Sequence, residues 1–254
     1  MWSSPSFGIA VVSAALALAV AHAIEARVEA GRVWFPNLRL FKRHSDRSIS
    51  AYMSEIADRP FNHQHVSITE LHPPVRSPSS LRVPTGMKVN ARRQLLGRGR
   101  QVYERAVEKG LRERGVVDHL SWAKLPVADT DSRRWKPGMA LLTVAKCYGV
   151  VWSANPCRLV HAYWDRNLPR DMGRGKYSSV CFSTVVGHLL AGEERFSVEW
   201  HQSDDSVWLD LFSVSEGNGI LGKIATPLVR PISKRFFAAQ CHHMLKLVSG
   251  EEDA

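Results

Sequence analysis

The chain has 254 residues, 44% hydrophobic and 23% charged, the composition of an ordinary globular protein with enough length for one good core. Its net charge of +10 is concentrated: residues 32–115 carry 17 Lys+Arg against 7 Asp+Glu, whereas residues 1–31 sum to −1 and residues 116–254 to +1. The four cysteines, Cys147, Cys157, Cys181 and Cys241, form no Cys-x-x-Cys and no metal-ligand spacing, so buried free thiols are expected and neither a metal nor a cofactor is.

The first element in chain order is apolar. Phe7 to Ile24 holds 18 residues without a formal charge, a helical length of roughly 27 Å, close to a bilayer's hydrocarbon thickness. Two readings compete for it: a retained single-pass anchor, or a secretory signal peptide cleaved after Ala21-His22-Ala23. The anchor is favoured because Met1 to Ser6 lacks Lys and Arg, while Arg27, Arg32, Arg39, Lys42, Arg43 and Arg47 follow the segment. The positive-inside rule then puts the rest of the chain in the cytosol. The division expected is a signal-anchor or transmembrane helix over 1–26, a basic juxtamembrane and linker region over 27–91, and an α+β domain over 92–250. The membrane would be met through residues 7–24 and an anionic lipid surface through the basic region 32–115. Nucleic acid is disfavoured as a partner, since that region has no RNP or zinc-finger pattern and few aromatics.

Within 27–58, Ile49, Met53 and Ile56 recur near helical spacing, and Pro60 closes the run. Residues 60–90 hold five prolines and four serines with little periodicity, which reads as a linker or as an arm lying on the domain. Val102, Tyr103, Ala106, Val107 and Leu111 predict a helix over 99–114. Alternation then predicts strands at 140–147, 158–164, 178–186, 194–200 and 207–213, with Asp204-Asp205 as a hairpin turn. Phe237, Cys241, Met244, Leu245 and Val248 predict a helix over 228–248, with Pro231 in its first turn. The fold class expected is α+β: an antiparallel curved sheet packed on a long C-terminal helix, helix-grip-like, preceded by an N-terminal apolar helix.

Charges interrupt the strand pattern between Asn155 and Phe212. Glu194, Phe196, Val198 and Trp200 share one face by parity, as do Arg158, Val160, Ala162 and Trp164. If both apolar faces are internal, Arg158 and Glu194 point inward and must either pair or meet a polar ligand, because an isolated buried charge is very costly. Arg158, His188, Glu193, Glu194 and Trp208 are therefore the candidates for a ligand pocket. His188, after Gly187 at a strand end, is the one group of ordinary near-neutral pKa among them. No Gly-x-Ser-x-Gly supports Ser183 or Ser213 as a nucleophile, and Gly97-x-Gly99 is too short a match for a nucleotide fingerprint.

Leu95-Leu96-Gly97-Arg98-Gly99, the Asn155-Pro156-Cys157-Arg158 turn, Gly187-His188, Gly192-Glu193-Glu194-Arg195-Phe196 and Val207-Trp208 together resemble the family called domain of unknown function 1990, over about residues 92–248. Asn155, Cys157, Gly187, Gly192 and Phe196 carry that motif alongside the charged residues. The chain departs from the family pattern at Leu189, where proline is usual. The resemblance implies a domain of plants and bacteria with no established reaction, and a plastid outer-envelope setting for plant members. The function expected is binding of a small apolar or amphipathic ligand, such as a lipid, in a sheet–helix cavity. The alternatives are an enzyme using His188 and Glu194, and a structural or pore-associated component of an organelle outer membrane.

Overall fold

The computed structural model describes residues 38–70, 83–113, 115, 123–124 and 135–250. In chain order these form β1 (Leu38–Leu40), α1 (Asp46–Ile56), β2 (Lys88–Arg98), α2 (Arg100–Arg105), β3 (Ala123–Lys124), β4 (Ala140–Cys147), β5 (Val151–Asn167), β6 (Gly175–Thr184), β7 (Leu190–His201), β8 (Ser206–Gly217) and α3 (Gly219–Ser249). The strands make one eight-stranded sheet in the order β2-β8-β7-β6-β5-β4-β3, with β1 paired to the start of β5. Every pairing is antiparallel, as the hairpin-length connections from β4 to β8 require. The protein is α+β, an antiparallel sheet curled around its C-terminal helix in a helix-grip-like fold.

Both faces of the sheet are covered. The inner face packs Leu141, Leu159, Phe182, Phe196, Val198 and Leu209 against α2 and α3, which contribute Tyr103, Leu111, Phe237, Cys241 and Met244. α2 continues through wider π-type turns to Arg112, where the Glu113 amide donates to the Glu108 carbonyl at 2.8 Å. Gly110 lies in those turns, and a Cβ there would stand 2.3 Å from Met244 Cε, so glycine sets how closely the two helices approach. The outer face of β4 and β5 is covered by α1, whose Ile49, Tyr52, Met53 and Ile56 pack on Ala140, Leu142, Val144 and Ala154. Ser45 caps α1 by accepting from the Ser48 amide at 3.2 Å. Residues 59–70 then cross the outer face of β6 and β7.

That crossing is held by charge. The Glu193 carboxylate accepts from the Ser67 amide at 2.5 Å, the Thr69 amide at 3.0 Å and the Thr69 hydroxyl at 3.2 Å. Arg195, two positions on and on the same face, donates to the Thr69 carbonyl at 2.5 Å and pairs with Asp210 of β8 at 3.3 Å. Buried carboxylates and guanidinium groups are tolerated where donors and acceptors surround them in this way.

Helix α3 begins earlier than the sequence predicts. It runs 31 residues from Gly219, with Pro227 and Pro231 in its interior rather than at its start. Each proline removes one i→i−4 bond. The Leu228 carbonyl beside them accepts from the Tyr148 hydroxyl at 2.7 Å. The C-terminus is conventional: Gly250 takes φ 81° and its amide donates to the Lys246 carbonyl.

The expected single-pass membrane protein is corrected here. Among the described residues no helix is long and apolar enough to cross a membrane. α3 has the length, but it carries Lys223, Arg230, Lys234, Arg235 and Lys246. The N-terminal apolar helix, and with it segment 7–24 and the cleaved-signal alternative, lies outside the described residues. Within the basic region, Arg43, Arg59, Arg93, Arg100, Lys109 and Arg112 are each paired with an acid. Those six charges are largely compensated and do not form a free anion-attracting face.

The Glu193 contacts make a prediction. Glu193→Ala leaves the buried Thr69 amide and the half-buried Ser67 amide without their acceptor, so it destabilises the fold by roughly 2–4 kcal/mol. Amide hydrogen exchange at Ser67 and Thr69 accelerates more than at β8. Unchanged protection at both amides contradicts this account of how residues 59–70 are held.

Candidate functional site

A cavity of about 210 Å³ lies between the inner face of the sheet and the first half of α3. The sheet supplies Leu141, Cys157, Phe182, Glu194 and Phe196, and the helix supplies Ala225, Leu228, Val229, Ile232 and Phe236. Tyr148, which also lines it, is exposed, so the cavity reaches the surface beside the β4–β5 turn.

Strand β7 explains why a carboxyl stands there. Its pleat sends Glu193, Arg195 and Glu199 to the outer face, and Glu194, Phe196 and Val198 to the inner one. Glu194 sits opposite Phe182 of β6. Among the described residues its carboxyl has no hydrogen-bond or ion-pair partner. Burial pushes its pKa up to about 8, so the group is largely protonated at neutral pH. Burial and the negative charge of Glu194 together push the neighbouring Cys157 thiol far up, leaving it un-ionised.

His188 lines the same cavity from the β6–β7 connection. Its Nδ1 accepts from the Leu190 amide at 2.9 Å, which places the ring proton on Nε2. Burial lowers its pKa to about 4, so it is neutral across the physiological range. The preceding Gly187 takes φ 101°, which suits glycine at this turn. Asn155 also lines the cavity, with its amide donating to the Thr143 carbonyl at 3.2 Å and to Ser153 Oγ at 3.0 Å. At Gly192 a Cβ would stand 2.1 Å from the Val214 carbonyl oxygen, so β7 and β8 approach closely beside Glu193 and Glu194.

Of the five pocket candidates, the structure brings His188 and Glu194 together and places Arg158, Glu193 and Trp208 on the opposite face of the sheet. The reason for Arg158 is a bulge. Pairing between β5 and β6 slips between Leu159 and His161, so Leu159 faces the core while Ala162 and Trp164 do so with the opposite parity. Arg158 therefore does not pair with Glu194. It donates to the Arg59 carbonyl and lies 4.9 Å from the centre of the Phe61 ring. Trp208 is stacked under Arg93 at 4.8 Å, and Arg93 in turn pairs with Glu199 at 2.8 Å.

Two features escaped the sequence reading. The start of α3, where Ala225 lines the cavity, precedes the helix predicted over 228–248, because Pro227 and Pro231 mask the helical pattern there. His63 Nε2 lies 2.7 Å from Ser183 Oγ on the outer face, a pair without a sequence signal across 120 positions. His63 Nδ1 accepts from the His65 amide, so Nε2 carries the proton and donates to Ser183, which is fully buried. The pair fastens residues 59–70 and is not arranged as a nucleophile and base.

A curled antiparallel sheet that closes on a long terminal helix, with a mostly apolar cavity between them, defines a helix-grip-like protein. The chain belongs to the family described as Domain of unknown function (DUF1990), whose model matches residues 72–243. It is 28% identical over 166 residues to a UPF0548 protein of Arabidopsis thaliana, covering 65% of this chain and 75% of that one. It is 26% identical over 159 residues to a UPF0548 protein of Deinococcus radiodurans, covering 61% and 75%. Among solved structures it is similar to the hypothetical protein jhp0584 from Helicobacter pylori, at 11% identity and TM-score 0.43, covering 67% of this chain and 94% of that one. It is also similar to norcoclaurine synthase from Thalictrum flavum in complex with dopamine and hydroxybenzaldehyde, at 15% identity and TM-score 0.40, covering 65% and 87%. Nothing about ligand or reaction follows from structural likenesses this distant, and the relatives' names give no support to a plastid setting.

The buried carboxyl predicts a pH dependence. Glu194 titrates near 4.5 when unfolded and near 8 when folded, so its contribution to stability is complete below pH 4.5 and is lost as pH rises toward 8. At about 1.4 kcal/mol per unit of pKa the loss is on the order of 3 kcal/mol after allowance for its partial exposure to the cavity. His188 acts in the other direction, its contribution being lost as pH falls from 6.5 toward 4. Glu194→Gln should therefore match the wild-type melting temperature near pH 5 and exceed it at pH 9, with the acid limb unchanged. Equal melting temperatures at pH 9 contradict a carboxyl titrating above neutrality.

Proposed function

We propose that this protein binds a small apolar or amphipathic molecule in the cavity between the sheet and α3. The observation that carries the reading is the cavity's composition: apolar side chains on both walls, and one carboxyl, Glu194, without a hydrogen-bond or ion-pair partner among the described residues. Core packing normally removes such a space, since apolar voids cost stability and a buried polar group needs a partner. A binding site has the opposite composition, with apolar walls and a few unsatisfied polar groups that fix orientation. The volume suits a small ligand: an apolar cavity of roughly 150 Å³ holds benzene.

A second reading, proton transfer on the bound molecule, is favoured by one observation. Glu194 and His188 line the same cavity with their pKa values pushed in opposite directions by burial, to about 8 and about 4, giving a protonated acid and a neutral imidazole on its walls. The pore-associated reading has less support. Glu193, Arg195, Glu199 and Asp210 lie on the outer face of the sheet, where a lipid-facing band requires apolar side chains.

The test uses 4-phenylbutanol as a probe of apolar binding by thermal shift. The wild-type protein is expected to gain several degrees at millimolar probe, by mass action on the folded state. Val229→Phe, which places a ring into the cavity, should fold and lose that gain. A wild-type protein whose melting temperature is unmoved, or a Val229→Phe variant that responds equally, contradicts the proposal.

A further inference from the structure

We infer that the cavity selects a ligand carrying a basic nitrogen on an apolar body, with Glu194 as its counter-ion. This rests on the reading that the cavity binds a ligand at all. Three features of the wall support it. The first is the charge of the lining. Glu194 is there, and among the described residues no lysine or arginine lines the cavity with it. A carboxylate ligand would place a second anion beside Glu194 with no cation to offset either, which is strongly disfavoured at low dielectric. The second feature is that, among the described residues, no group donates to the Glu194 carboxyl. Glu193, its neighbour on the same strand, shows what this chain does with a structural carboxylate: it surrounds it with the Ser67 and Thr69 donors. Glu194 receives none from the described residues, which leaves its hydrogen bonding to something that enters the cavity.

The third feature is aromatic. Phe182 stands opposite Glu194 across the strand pair and Phe196 follows two residues on, and both line the cavity. Their rings meet edge to face, with centroids 5.8 Å apart and planes at 65°. A carboxylate flanked by two aromatic rings recognises an ammonium group twice, by a charge-assisted hydrogen bond and by cation–π attraction. Other titratable groups at the site do not compete. His188 is neutral, and burial holds the Cys157 and Cys147 thiols and the Tyr148 phenol protonated. The α3 wall contributes Ala225, Leu228, Val229, Ile232, Ser233 and Phe236, none of which ionises.

On binding, an ammonium ligand keeps its proton and Glu194 releases its own to solvent, so that a neutral site becomes an ion pair. The release approaches about one proton per ligand at pH 7, because the free carboxyl is largely protonated there. A neutral alcohol of the same shape releases none.

The experiment compares 4-phenylbutylamine, 4-phenylbutanol and 4-phenylbutyrate on the full chain by isothermal titration calorimetry at pH 7 in buffers of different ionisation enthalpy. The amine is expected to bind at least about tenfold more tightly than the alcohol, and the carboxylate most weakly. Proton release should accompany the amine alone. In Glu194→Gln the amine should lose about tenfold or more in affinity and its proton release, while the alcohol binds within about twofold of wild type and so reports an intact cavity. Alcohol binding equal to amine binding, preference for the carboxylate, or unchanged amine affinity in Glu194→Gln overturns the inference and leaves the binding reading standing. Failure of all three molecules to bind overturns both.

Discussion

Two adjacent glutamates on β7 set the organisation of this molecule, because a pleated strand must send them to opposite faces and both faces are covered. On the outer side, Glu193 is closed over by residues 59–70 and satisfied by three donors. On the inner side, Glu194 faces apolar side chains and α3 with no partner among the described residues. Shifting β7 by one residue would exchange the two environments and place Arg195 in the cavity, so the register of one strand decides which face is structural and which faces the candidate site. The Gly192 contact with β8 and the paired Arg195–Asp210 across the same strands fix that register.

The outer face carries the remaining charge. Arg195 with Asp210, and the half-buried Arg93 with the buried Glu199 and His201, place polar groups in a sheet that a simple alternating pattern would make apolar. Burial raises the Asp210 pKa to about 6, with the negative charge of Glu199 adding to the effect and Arg195 opposing it. Such groups contribute little net stability over apolar replacements, but removing one partner is severe, because the other is left buried and uncompensated. The strand arrangement is therefore specified by polar pairing on one face and by apolar packing on the other.

Much of the fold was legible. The strands from 140 to 213, the turn at Asp204-Asp205, the helical stripe of Tyr103, Ala106 and Leu111, and the stripe from Phe237 to Val248 all follow from periodicity, because side chains on buried faces must repeat with the backbone. The long-range features were harder. A bulge at residue 160 reverses parity within β5, and a single extra residue leaves no mark in an alternating pattern, so Arg158 was read onto the wrong face. The start of α3, residues 219–227, was masked by Pro227 and Pro231, whose local preference disfavours a helix that tertiary packing nevertheless forms. Residues 59–70 look like a linker because their contacts are backbone groups bonded to distant side chains, which composition cannot reveal. For the site, the parity of β7 was sufficient to place Glu194 inward. That His188 faces the same cavity depends on the path of the β6–β7 connection, and the cavity itself on how closely α3 approaches the sheet.

The central claim is that Glu194, unpaired among the described residues, is a carboxyl held in an apolar cavity. Its titration tests this most directly. Carbon-13 NMR of protein labelled at the glutamate carboxyl, with the Glu194 signal assigned by its loss in Glu194→Gln, should show that carboxyl titrating near pH 8, well above the exposed glutamates. Titration near the ordinary value of 4.5 would mean that the group is solvated or paired, and would contradict the account.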